Sequence, residues 1–129
     1  MITMWALTYV AIGGALGSMC RYLLMTYVGK YVTSGFPYGT FAVNVLGAFL
    51  MGVWIATMAG MMPSRAKDLH LLFAVGFLGG FTTFSTFTID VFLLMEKGMM
   101  IESVLYVIGS FLISLLALIA GMYLIRLTY

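Results

Sequence analysis

The chain has 129 residues, 64% of them hydrophobic and 8% charged, with a net charge of +2 and a mean hydropathy of +1.14. A soluble domain of this length cannot hide so much apolar surface, so the composition points to a membrane protein. The few basic residues form no run, which argues against nucleic acid as a partner, and the single cysteine, Cys20, rules out an internal disulfide or a cysteine cluster for metal.

A transmembrane helix needs roughly 20 mostly apolar residues, and four segments supply them. The first, about 3–28, lacks the charged start and short apolar core of a cleavable leader, so Met1 to Cys20 reads as the beginning of a retained span. Its GGALG stretch, Gly13 to Gly17, sets small residues at i and i+4 and offers a close-packing surface. The turn-prone KYVTSGFPYG leads into a second span of about 40–59, which carries Asn44 about one turn inside and repeats the small-residue spacing at Ala48 and Gly52. PSRAKD makes the next turn, with Pro63 as punctuation. A third span of about 69–95 follows, EKG (Glu96 to Gly98) reverses the chain, and the fourth span covers about 103–125. The expected architecture is all-α: one four-helix transmembrane domain over residues 1–129.

Loop charges set membrane orientation. One side carries Arg65, Lys67 and Arg126; the other carries Lys30, Lys97 and, near the end of the first span, Arg21. The count does not choose a direction. A chain without topological preference can insert both ways, and two copies can then pair head to tail about a two-fold axis in the membrane plane, with the first span's small-residue face available for such an assembly.

Polar groups at membrane depth cost free energy unless they are paired or wetted. No acidic or basic residue falls near the middle of a span: Asp90 lies towards the end of the third, Glu102 opens the fourth, and His70 sits at an interface. Neutral donors are present instead. Asn44 is on span two; Tyr106, Ser110 and Ser114 recur at i, i+4 and i+8 on one face of span four; Thr82, Thr83, Ser85 and Thr86 cluster on span three. One by one they read as helix–helix glue or as hydroxyls bonded to their own helix. Together they suggest a wetted or ion-conducting track.

Within span three, GFLGGFTTFSTF (Gly76 to Phe87) places Gly79-Gly80 before β-branched Thr82-Thr83, poor helix material near the centre of a span. A break there frees carbonyls that hydrocarbon cannot satisfy, and such carbonyls in membrane helices often hold Na⁺. In a two-fold dimer two breaks meet on the axis. Phe84 and Phe87, at i and i+3, share a face and can turn positive ring edges towards an anion.

GALGSMCRY (Gly14 to Tyr22), GTFAVNVLGAF (Gly39 to Phe49) and GFLGGFTTFSTF, in this order and across essentially the whole chain, resemble the small bacterial fluoride channels of the Fluc family, also called CrcB. The resemblance implies an antiparallel, dual-topology homodimer in the bacterial inner membrane. It implies two fluoride pores, a third helix broken near its centre, and a structural Na⁺ held by the backbone carbonyls of Gly79 and Thr82 from both chains. The pathway residues it implies are Asn44, Phe84, Phe87, Tyr106, Ser110 and Ser114, with Ser85 and Thr86 beside them. Arg21 would stand at a vestibule or pair with a carboxylate, and Asp90 occupies a position where relatives carry Glu. Fluoride export would then be passive.

No nucleophile–base pair or catalytic metal set marks the chain as an enzyme. Two other readings share its size: a small dual-topology multidrug exchanger, which needs a buried carboxylate that the first span lacks, and a non-transporting membrane assembly subunit.

Overall fold

The computed structural model describes residues 3–32, 34–59 and 63–128. Met1, Ile2 and the side chain of Arg65, used in the expectations above, lie outside the described residues. Every described element is helical. Helix α1 is Met4–Tyr31, α2 is Tyr38–Met58 and α3 is Pro63–His70; α4 is the short Gly79–Phe81, α5 is Phe84–Glu96 and α6 is Met100–Arg126. Four helical stretches, Met4–Tyr31, Tyr38–Met58, Ala66–Glu96 and Met100–Arg126, are long and apolar enough to cross a membrane. Each lies within about three residues of its expected bounds.

PSRAKD is helical rather than a turn: Pro63 begins α3. A proline costs nothing at the first helical position, where its missing N–H would have no partner and its fixed φ suits the helix. The EKG reversal follows a different rule. Gly98 takes φ +74°, the Gly98 N–H donates to the Met95 carbonyl at 3.0 Å, and the Met99 N–H donates to the Leu94 carbonyl at 2.9 Å. This pair of bonds closes α5 as a Schellman motif, which demands a left-handed residue that only glycine adopts without strain.

The third span is not uniform. Leu71–Leu78 is wound as a π-helix, and the Gly79 N–H reaches back five residues to the Ala74 carbonyl. The span bends after α4, where Thr82 (φ −79°, ψ 159°) and Thr83 (φ −149°, ψ 119°) are extended. Phe73, Phe77 and Phe81 stack at centroid distances of 5.4 and 6.0 Å, with Trp54 of α2 against Phe73, so an aromatic row buttresses the span up to the bend.

Two glycine seams hold the bundle. A Cβ on Gly13 would strike the Leu72 carbonyl, and one on Gly17 the Phe77 carbonyl; reciprocally, Gly76 and Gly80 lie against the backbone of Val10 and Gly14. Gly52 and Gly121 bring α2 and α6 together in the same way. Lipid is as apolar as leucine, so helices gain by close backbone approach rather than by hiding from water. The small-residue face of α1, a candidate surface for assembly in the sequence, is thus filled by the chain's own third span. Gly17→Ala should lower stability by about 1–3 kcal/mol through overpacking, whereas Gly29→Ala, with nothing within 4 Å, should be neutral or stabilising. Thermal unfolding in detergent checks both, and equal midpoints would contradict the seam.

Candidate functional site

The two extended residues present four backbone polar groups, three of which leave the helical ladder. The Thr82 N–H still donates to the Leu78 carbonyl at 3.0 Å. The Thr82 carbonyl accepts from Arg21 Nη1 on α1 at 3.0 Å. On Thr83, the N–H donates to Asn44 Oδ1 at 2.8 Å and the carbonyl accepts from Asn44 Nδ2 at 3.0 Å. One primary amide on α2 therefore pairs with both polar groups of a single residue, much as a neighbouring strand would. All four groups are satisfied, as burial requires.

Helix α5 restarts with its own cap. The Thr86 N–H donates to Thr83 Oγ1 at 3.2 Å, and Thr83 Oγ1 donates to Thr86 Oγ1 at 2.9 Å, with Ser85 Oγ 3.4 Å away. Thr83 is buried and acts as an N-cap. The sequence carried that signal, a threonine three residues before an N–H in need of an acceptor, but Thr83 was expected as one of the donors of a polar track and not as a cap.

Asn44, Phe84, Phe87, Ser110 and Ser114 come together around an open cleft of about 340 Å³ completed by Ala48, Phe111 and leucines of α6; none of its lining side chains carries a charge. Asn44 Nδ2 has two N–H groups and gives one to Thr83, which leaves a donor for a ligand. Ser110 is the decisive residue. Thr8, Thr57 and Thr88 donate back to a carbonyl of their own helix, and Thr82 to the Leu78 carbonyl four residues before it, whereas Ser110 Oγ is buried without a partner among the described residues. A second cleft of about 310 Å³, shared with Asn44 and Ser114, is lined by Gly47, Gly79 and Thr82.

The other expected pathway residues are placed differently. Tyr106 is fully buried; its ring lies 5.1 Å from Phe87 and 5.4 Å, edge-on, from Phe36, and its hydroxyl donates to Asp90 Oδ2 at 3.2 Å. Asp90 faces a separate cleft of about 240 Å³ with Thr40 and the Phe36–Gly39 segment. Ser85 and Thr86 belong to the α5 cap and do not line the 340 Å³ cleft. Arg21 meets a carbonyl rather than a carboxylate. His70 is exposed and accepts from Trp54 Nε1 at 3.3 Å.

Residues 8–122 match the family described as CrcB-like protein, Camphor Resistance (CrcB). The chain belongs to the CrcB family. It is 43% identical over 123 residues to a protein of Chelativorans sp. (strain BNC1), covering 95% of this chain and 98% of that one. It is 44% identical over 117 residues to one of Nitrobacter winogradskyi, covering 91% and 92%, and 40% identical over 121 residues to one of Hahella chejuensis, covering 94% of each. All three relatives bear the name Fluoride-specific ion channel FluC. The cleft therefore lies in a CrcB-family chain matched along most of its length.

If Asn44 carries the backbone of Thr83, Asn44→Ala leaves a donor and an acceptor unpaired, at about 1–3 kcal/mol each. Asn44→Asp retains only the acceptor and should be intermediate in denaturation. Hydrogen exchange at the Thr83 amide should rise at least ten-fold in Asn44→Ala and less in Asn44→Asp. Protection unchanged by either substitution would show that another group holds that N–H.

Proposed function

We propose that this chain is a channel that conducts fluoride passively across the bacterial inner membrane, and not an enzyme. The observation that carries the reading is the unpartnered hydroxyl of buried Ser110 in an uncharged cleft with Asn44, Phe84, Phe87 and Ser114; the names of the relatives point the same way. Fluoride is small, hard and tightly hydrated, so a path for it must replace water with fixed donors. Hydroxyls, an amide N–H and positive ring edges do this in weak successive steps, without a buried cation that would trap the ion.

The path is completed by a second, oppositely inserted copy. Phe84 is 76% exposed and the 340 Å³ cleft is open, so a partner has an aromatic ring and a polar track to cover. The expected Na⁺ fits the residues present. In a continuous helix the Gly79 carbonyl would receive the Thr83 N–H, which goes to Asn44 instead; the Thr82 carbonyl has a second lone pair beyond the one given to Arg21. Both residues line the 310 Å³ cleft. Neutral backbone oxygens at a bent helix suit Na⁺, which would take up their free lone pairs and tie two chains together. Tyr106 supports the path by packing on Phe87 while its hydroxyl is held by Asp90; Ser85 and Thr86 fix the start of α5 and hence both rings.

Purified protein in liposomes should release fluoride rapidly and chloride negligibly; equal rates would remove the selectivity. Ser110→Ala and Phe87→Ile should each slow fluoride efflux at least ten-fold while leaving assembly unchanged by size-exclusion chromatography. Full activity in both would assign these residues to packing alone.

A further inference from the structure

Arg21 lies on the face that α1 turns towards the third span, following Gly13 and Gly17 at i+8 and i+4. Backbone of the third span approaches those two glycines too closely for any Cβ. The Cα of Arg21 is therefore fixed from one turn away, and its half-buried side chain gives an Nη1 proton to the Thr82 carbonyl at 3.0 Å. One residue before the extended pair's neighbour Phe81, the Gly80 carbonyl receives a second tie from α1, the Ser18 hydroxyl at 3.5 Å. From the opposite side α2 presents Asn44 to Thr83, and Gly47, whose missing side chain makes room for the Thr82 methyl. Two helices grip the extended pair between them.

We infer that Arg21 is a positioning residue: by its bond to the Thr82 carbonyl it fixes the direction in which α5 restarts, and with it the Phe84 and Phe87 rings, rather than gathering anions at a mouth. The inference rests on the channel reading above. A planar guanidinium sets the direction of its N–H groups, which a lysine ammonium does not. Arg21 spends that directionality on a neutral carbonyl at the bend, and the 340 Å³ cleft is lined without it. An anion-gathering charge would act through its field, which salt screens; a positioning bond acts through geometry, which salt leaves alone.

Two substitutions separate charge from geometry. Arg21→Lys keeps the charge and loses the fork; replacement of Arg21 by citrulline keeps the planar shape and one terminal NH2 donor, puts a carbonyl oxygen in place of the other terminal nitrogen, and loses the charge. Fluoride efflux is measured from vesicles holding the full chain, at about 10 mM and about 1 M salt, where the screening length changes roughly ten-fold. The inference expects citrulline within about two-fold of wild type, Arg21→Lys down at least ten-fold, and the same ratios at both salts. Arg21→Lys near wild type, with citrulline impaired at low salt only, would overturn it. Hydrogen exchange over residues 82–87 supplies a readout that does not depend on flux: protection should survive citrulline and fall in Arg21→Lys, and equal protection in all three proteins would also overturn the inference. Wild-type vesicles that move no fluoride would instead sink the channel reading, leaving the exchange comparison to decide the role of Arg21.

Discussion

Thr82 and Thr83 lie midway along a span that a membrane helix would ordinarily complete with its own hydrogen bonds, and their extended dihedrals withdraw backbone from that ladder. In hydrocarbon no water replaces what is lost. The rest of the bundle is arranged around this constraint. Arg21 and Asn44, on two different helices, supply the missing partners, and Thr83 supplies the cap from which α5 restarts. The glycine seams are the precondition, because only backbones in contact let side chains of ordinary length reach across. The π-wound stretch before the bend fits the same pattern, since such turns are uncommon and concentrate at functional positions.

What the bend gives in return is placement. It sets Phe84 and Phe87 beside Asn44 and the serines of α6, in a cleft whose polar groups are all neutral. A channel needs sites that are occupied readily and left readily, and neutral donors meet that need better than a buried charge. The hydroxyls divide accordingly. Others are already bonded, to their own helix, to the α5 cap or across to a neighbouring helix, and Ser110 Oγ alone is a buried side-chain polar atom without a partner among the described residues. Asp90 of α5 is engaged by the Tyr106 hydroxyl and opens to a different cleft.

Much of the fold was legible in the order of residues. Apolar runs of the right length, separated by KYVTSGFPYG, PSRAKD and EKG, pointed to four spans, and Gly98 is a helix stop that chemistry alone foretells. PSRAKD misled because a proline that punctuates one helix equally well begins the next. Within the site, the i, i+4, i+8 spacing of Tyr106, Ser110 and Ser114 located a shared face but could not say that Tyr106 would be claimed by Asp90 while Ser110 stayed free. Nor could spacing pair Arg21 with a carbonyl 61 residues away, or reveal that the small face of α1 is used up inside the chain.

By itself, the sequence determined the class of molecule, the number of spans and the stock of uncharged donors, because these follow from composition and periodicity, which are local. Which donor meets which acceptor was decided only by tertiary structure. A hydrogen bond depends on tenths of an ångström and on direction, and here both are set by how closely glycines on separate helices let two backbones approach.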